Sequence, residues 1–182
     1  AGGLPSGEIG RSGLALFAGD TDGRYATVEN RNPMPPRKKP DGDPGEAGSD
    51  AEAKKEPGTS TANERRPIGG EVYRSDDGGG SWTKQNSRSI GGRPGYYYGQ
   101  IRVDPVDDQL VYVMSVRMHV SRDGGETWKS GFDSGLHADQ HAMWIDPANP
   151  RHILLGNDGG LAITWDRGAN WDYQNNLPIA QY

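Results

Sequence analysis

The sequence predicts an all-β protein whose strands form repeated four-stranded antiparallel meanders, the units that make up the blades of a β-propeller. An eight-residue pattern, S/T-x-D-x-G-x-x-W, occurs at 75–82, 121–128 and 164–171, and its copies begin 46 and 43 residues apart. Spacing of this size is typical of repeat architectures. Short β-branched and aromatic runs flank the copies, and 28 glycines with 13 prolines indicate frequent turns. Together these observations favour a series of blades.

Each copy of the pattern, which we call a frame turn, contains residue types that stabilise a hairpin connection. The aspartate can accept hydrogen bonds from backbone N–H groups just ahead of it. The glycine tolerates positive φ, and the tryptophan can pack over the hairpin. We therefore assign structural rather than catalytic roles to the residues of these three turns: Ser75, Asp77, Gly79, Trp82, Ser121, Asp123, Gly125, Trp128, Thr164, Asp166, Gly168 and Trp171.

The segments between the frame turns follow a common plan of strand, Asp-Pro turn, strand, short link and strand. The Asp-Pro turns at Asp104 and Asp146 lie 42 residues apart. The strand that follows each frame turn completes a set of four. On this plan the sequence predicts blade 2 at about 96–134 and blade 3 at about 138–176.

The first blade, predicted at about 10–90, is interrupted by a long insertion. Its first two strands are expected at Ser12–Ala18 and Arg24–Val28. Residues 31–66 contain six prolines and no Val, Ile, Leu, Phe, Trp or Tyr, so they cannot form a core. The distance from the second strand to the frame turn also exceeds that of the next blade by 41 residues. We therefore predict that 31–68 is a disordered polar insertion between the second and third strands.

Three blades do not close a ring, because propellers usually contain about 4–8 blades. The sequence therefore predicts part of a propeller, with the remaining blades supplied by a longer parent chain or, alternatively, by assembly with other chains. Residues 176–182 resemble the beginning of a further blade.

Composition argues against several classes of partner. A net charge of −5 disfavours a broad nucleic-acid surface. No apolar run is long enough to cross a membrane. The absence of cysteine excludes disulfides and thiolate metal sites. We therefore expect neither a nucleic-acid partner nor a membrane span.

Three polar residues near the predicted first strand of blade 3 are the best candidates for chemistry. His137, Asp139 and His141 alternate along the chain, so in a strand they would share one face, beside the central channel. Two imidazoles and a carboxylate can bind a divalent metal or act as an acid–base group. Alternatively, they hydrogen-bond to neighbouring blades or channel water. Tyr97 lies 42 residues before Asp139, so the group is not part of the repeat, and Tyr97 becomes a further candidate ligand contact.

A second candidate is the Asn-Asp-Gly-Gly segment at 157–160. Asp139 and Asp158 are tentative catalytic residues, because glycosidases use two carboxylates about 5–9 Å apart. The candidate ligand contacts are therefore His137, Asp139, His141, Asn157 and Tyr97. The alternative interpretation is a simple turn, which this composition strongly favours.

The frame turns match the Asp box, also called the BNR repeat. The chain resembles bacterial propellers labelled BNR-repeat, sortilin-like or glycosyl-hydrolase-like, and segments 5–10, 137–147, 156–160 and 176–178 extend the resemblance. This resemblance implies a seven-bladed propeller, often within a longer exported protein that is periplasmic or extracellular. It implies no established reaction, since the glycosidase label came with the Asp boxes.

Three functions therefore remain open from the sequence. The favoured one is a non-catalytic scaffold that binds a protein, peptide or glycan at the channel mouth. The alternative is a glycoside hydrolase similar to the Asp-box xyloglucanases. The third is a metal-dependent enzyme or metal-stabilised scaffold, although no cofactor is expected beyond a possible divalent metal on His137, Asp139 and His141.

Overall fold

The computed structural model describes residues 2–20, 22–35, 66–91, 97–130, 135–174 and 177. These residues form twelve β-strands. The strands are β1 (Ile9–Leu16), β2 (Arg24–Pro33), β3 (Pro67–Ser75), β4 (Thr83–Lys84), β5 (Gln100–Val103), β6 (Val111–Met114), β7 (His119–Ser121), β8 (Lys129–Ser130), β9 (Gln140–Ile145), β10 (Ile153–Asn157), β11 (Gly160–Thr164) and β12 (Asp172–Tyr173).

The strands form three four-stranded sheets in chain order, β1–β4, β5–β8 and β9–β12. Every neighbouring pair within a sheet is antiparallel. The predicted all-β class and four-stranded blades are therefore confirmed. In the part of the chain that the structure describes, no helix is long and apolar enough to cross a membrane.

The two larger apolar clusters of the described residues lie between successive blades, and a smaller one lies on blade 1 alone. One apolar cluster joins blades 1 and 2 and includes Tyr25, Val72 and Ile101. A second joins blades 2 and 3 and includes Tyr112 and Leu155. Strand β6 of the middle sheet is thus buried on both faces, which explains why it is a continuous apolar run rather than an alternating one. The first strand of blade 2, β5, also contacts the first strands β1 and β9 of its neighbours.

The frame turns carry the hydrogen bonds that their sequences predict. Ser121 Oγ donates to Asp123 Oδ1 at 2.7 Å and accepts from the Gly125 N–H at 2.7 Å. The Thr127 N–H donates to Asp123 Oδ1 at 2.9 Å, and Trp128 Nε1–H donates to the Gly125 carbonyl at 2.7 Å. Gly125 has a φ of 101°, which favours glycine. The corresponding bonds to the aspartate recur in the other two turns, so all three aspartates stabilise turns.

We expect these turns to weaken as the protein is acidified. Hydrogen bonds from Thr127 lower the pKa of Asp123 to about 2, and those from Asn170 lower the pKa of Asp166 to about 2. An unfolded aspartate titrates near pH 3.9, so the unfolded state binds more protons below that pH. The stabilisation is therefore present above about pH 4 and should be lost as the pH falls toward about 2.

Urea unfolding between pH 2 and 6 measures this loss. The Asp123→Asn variant should be less stable at pH 6 and should lose less stability on acidification than the unmodified protein. Equal losses in the two proteins would contradict an acid-sensitive role for this turn.

The strands of blade 1 extend further than the sequence predicted. The β2–β3 ladder reaches the pair Pro33–Pro67, so 31–33 and 67–68, assigned to the insertion, belong to strands. Strand β1 spans Ile9–Leu16 instead of Ser12–Ala18. Backbone pairing with the neighbouring strand extends these segments. Such pairing cannot be deduced from the composition of a segment. The remainder of the predicted insertion, 36–65, lies outside the described residues.

Candidate ligand-binding site

A cleft of about 700 Å³ opens beside the first strands of the three blades. It lies where β9 begins, β10 ends and β11 begins. All three blades contribute to its walls, since Arg11 is on β1, Gln100 on β5 and His141 on β9. The lining residues are Arg11, Tyr97, Gln100, His141, Gly156, Asn157, Asp158, Gly160, Leu161 and Leu177.

A histidine–aspartate pair lies in this cleft. His141 Nε2 is 2.7 Å from Asp158 Oδ1. Strand β9 carries the histidine, and the turn between β10 and β11 carries the aspartate. The Gly159 N–H donates to Asn157 Oδ1 at 3.0 Å. This hydrogen bond closes the turn that the Asn-Asp-Gly-Gly sequence predicts. The pair places an imidazole and a carboxylate side by side in the wall of the cleft.

Two tyrosines form an aromatic wall around the same histidine. The ring centroids of Tyr97 and His141 are 5.1 Å apart at an interplanar angle of 68°. Tyr98 stacks on His141 at 5.9 Å and 17°. Tyr98 is buried, whereas Tyr97 is 55% exposed and lines the cleft. Tyr97 therefore presents an aromatic surface to the cleft.

Asp139 has a different role from the one that strand alternation predicted. Strand β9 begins at Gln140, and Asp139 has a φ of 67°. Its backbone N–H donates to the Val116 carbonyl of blade 2 at 2.9 Å. Its carboxylate accepts a hydrogen bond from the Tyr98 hydroxyl. The prediction of one shared strand face was wrong because the chain turns here to join the neighbouring blade.

Burial, the hydrogen bond to Asp139 and the negative charge of Asp139 raise the pKa of Tyr98. The charge of Asp158 acts in the same direction. This tyrosine therefore stays a neutral hydrogen-bond donor, and it holds Asp139 at the back of the aromatic wall.

His137 also lies apart from the cleft lining. Its Nδ1 is 3.1 Å from the Ala138 carbonyl, and its backbone N–H bonds to the Tyr173 hydroxyl. A Cβ atom added at Gly159 would lie 2.6 Å from the His137 Cβ, so this histidine packs closely on the turn. Within the described residues, no group of three or more His, Cys, Asp or Glu side chains could hold a metal ion. The structure thus does not gather His137, Asp139 and His141 into one ligand set.

Asn157 is a buried residue in the lining of the cleft. Its Nδ2 donates to Gln140 Oε1 at 3.2 Å and to the Tyr173 hydroxyl at 3.0 Å. These bonds join three strands of blade 3. The main role of Asn157 is therefore to position the turn that carries Asp158, because its own amide is engaged within blade 3.

Sequence reasoning missed two polar residues of the cleft, Arg11 and Gln100. Gln100 Nε2 donates to the His141 carbonyl at 2.7 Å, and Arg11 Nη1 donates to the Tyr97 carbonyl at 3.4 Å. Both residues lie on first strands, which the repeat register places beside the channel. Examining every first-strand polar residue would have identified them.

The fold is similar to those of several solved propellers. The GH74 xyloglucanase from Xanthomonas campestris aligns with a TM-score of 0.59 and 17% identity, over 91% of this chain and 23% of that one. A GH74 enzyme from Niastella koreensis aligns at 0.55 and 16%, over 90% and 22%. A chain of a nidogen–laminin complex aligns at 0.52 and 16%, over 91% and 48%.

No protein-family model and no curated protein matches the sequence. The chain spans less than half the length of each of the three solved chains. At these identities the likeness establishes the propeller fold and nothing finer.

Proposed function

We propose that this protein is a non-catalytic propeller module that binds a glycan in the cleft lined by Tyr97 and His141. The observation that carries the proposal is the half-exposed Tyr97 ring beside the His141–Asp158 pair. Sugar rings present apolar C–H faces and hydroxyl edges. The aromatic surface can pack on the apolar faces of a sugar. The neighbouring carboxylate, amide and guanidinium can form hydrogen bonds with its hydroxyl groups.

The arrangement supports binding over hydrolysis. A glycosidase of the usual kind places two carboxylates on either side of the scissile bond. Asp158 lines the cleft, whereas Asp139 does not line it and accepts a hydrogen bond from Tyr98. A xyloglucanase-like hydrolase, the alternative suggested by the sequence, is therefore the less well supported function.

We also propose that the chain belongs to the Asp-box propellers, of which sortilin-like proteins are members. Support comes from the three frame turns and their recurring hydrogen bonds. Export to the periplasm or the extracellular space is proposed from the same resemblance, as are a seven-bladed ring and a longer parent chain. Binding of a protein or a peptide instead of a glycan is the other outcome that the binding experiments can give.

We expect Tyr97→Ala to weaken glycan binding about tenfold, since aromatic contacts contribute about 0.5–1.5 kcal/mol. Tyr97→Phe keeps the ring and should weaken binding by less than about threefold. A glycan array would select the ligand, and titration calorimetry would give the dissociation constants. The matched control is Asp172→Asn, an exposed aspartate on β12 outside the cleft lining.

Equal binding by the Tyr97→Ala variant would contradict this site. Absence of any glycan ligand would contradict the ligand class and direct the search to peptides. Release of reducing ends from a bound polysaccharide, abolished in Asp139→Ala, would replace binding with hydrolysis.

A further inference from the structure

A second concavity lies between blades 2 and 3, at the opposite end of the strands from the cleft. Strand β11 begins at Gly160 in the cleft and ends at Thr164, the first residue of the third frame turn. The concavity, which we call the frame groove, has a volume of about 340 Å³. Its lining includes Met118, Val120, Arg122, Asp123, Lys129 and Arg167.

The frame groove combines an apolar surface with a cationic one. Tyr112 and Met118 are buried members of the core between blades 2 and 3, and Val120 packs against them. Arg122, Lys129 and Arg167 supply three positive charges around this surface. Such a combination favours a ligand that carries both carboxylates and an apolar side chain.

Two of the three cations are available to a ligand. Arg167 Nε lies 3.1 Å from Oδ2 of the fully buried Asp104, which places that arginine in an ion pair. Those two atoms are not aligned as a hydrogen bond, so the attraction is mainly ionic. Among the described residues, neither Arg122 nor Lys129 has an ion-pair partner, and both are exposed.

The carboxylate within the frame groove is already engaged. Asp123 Oδ1 accepts hydrogen bonds from the Ser121 hydroxyl and the Thr127 N–H. Its Oδ2 accepts one from the Thr127 hydroxyl. All of these bonds lie within the second frame turn. Among the described residues, Asp123 forms no ion pair with Arg122, Lys129 or Arg167.

At the junction between blades 1 and 2, a cation is paired with acidic side chains. There Arg74 lies 2.7 Å from Asp76 and 2.7 Å from Asp108, and it donates to the Tyr25 hydroxyl at 2.9 Å. Asp76 is the second residue of its frame turn, and the equivalent residue of the next turn is Arg122. Val120 likewise takes the place of Arg74, so the ion pair of the first junction is replaced in the next blade by an apolar residue and a cation.

A sheet edge lies beside the frame groove. Strand β8, which contains Lys129, is the outermost strand of its sheet, and both of its residues are exposed. An edge strand offers unpaired backbone groups to an extended chain. This feature favours a peptide over a compact anion.

We propose that the frame groove binds an extended acidic peptide, with its carboxylates on Arg122 and Lys129 and an apolar side chain against the half-buried Val120. The site is separate from the glycan cleft. Its occupancy does not depend on the function proposed for that cleft.

The test uses a fluorescein-labelled Asp-Leu-Glu-Leu-Asp peptide and fluorescence anisotropy. We expect saturable binding that weakens as sodium chloride is raised, because salt screens exposed charges. Arg122→Ala and Lys129→Ala should each weaken binding about fivefold to tenfold, consistent with the loss of one charge-assisted contact. Arg88→Ala, which removes an exposed cation in blade 1, should leave binding unchanged.

A matched Asn-Leu-Gln-Leu-Asn peptide separates charge from apolar contact and should bind at least tenfold more weakly. Equal binding of the two peptides would overturn the proposal, as would undiminished binding by both groove variants. Inorganic phosphate that binds at Arg122 while the acidic peptide does not would overturn it in favour of a small-anion site. Far-UV circular dichroism confirms that each variant retains its strands.

Discussion

Replacing Leu155 with alanine is expected to lower the free energy of unfolding by about 3 kcal/mol, within the 2–5 kcal/mol typical of buried leucines. Leu155 is fully buried on β10, between Ala162 of β11 and Met143 of β9. It belongs to the cluster that joins blades 2 and 3, which includes Tyr112. The change therefore removes contacts within one blade and across the junction, and close packing on both sides limits relaxation into the cavity.

Urea unfolding monitored by tryptophan fluorescence gives this difference. Leu16→Ala is the matched control, because Leu16 lies on a strand but is 60% exposed. We expect the control to change stability by less than about 0.5 kcal/mol. Similar losses in both variants would indicate that the junction between blades 2 and 3 does not hold the fold together.

The sheet architecture was predictable because its signals are local. Each frame turn contains its own donors and acceptors, as Ser121, Asp123 and Gly125 show. The spacing of three such turns and of the Asp-Pro turns then determines the order of strands. Asp104 Oδ1 accepts the Val106 N–H at 3.0 Å and Asp146 Oδ1 accepts the Ala148 N–H at 2.9 Å, so both turns form as their sequences indicate.

The candidate site was less predictable because it depends on contacts between blades. Alternation placed His137, Asp139 and His141 on one face, but it assumed a strand that begins before Gln140. Backbone bonds from Asp139 and Gln140 to Val116 and Ser115 of blade 2 determine where β9 begins. Such contacts leave no periodic mark on the sequence.

Only part of the cleft lining was therefore identified in advance. His141, Asp158 and Tyr97 meet in the cleft as the sequence suggested. Arg11 reaches the carbonyl of Tyr97 across 86 residues of chain, a pairing that the register between blades creates. Local sequence predicts the turns, whereas packing of one blade on the next determines the site.

That packing depends on a close approach of backbones at Gly13, where we expect the second large effect. Gly13 lies on β1, and its missing side chain leaves room for the Gly99 carbonyl just before β5. A Cβ atom at position 13 would overlap that carbonyl and lie 2.7 Å from Thr27 Oγ1. Thr27 Oγ1 itself donates to the Gly99 carbonyl at 2.5 Å, so neither group can move aside without losing this buried bond.

Gly13→Ala should therefore destabilise the protein by about 3 kcal/mol, toward the upper end of the range for overpacked sites. It should also weaken glycan binding, because Gly99 adjoins Tyr98, whose ring stacks on His141. Gly156→Ala is the matched control for stability, since a Cβ on that strand glycine meets nothing closer than 4.0 Å. Urea unfolding of both variants decides the matter. A Gly13→Ala protein as stable as the control would mean that blades 1 and 2 can separate at their first strands without cost, and the cleft would then not be a rigid site.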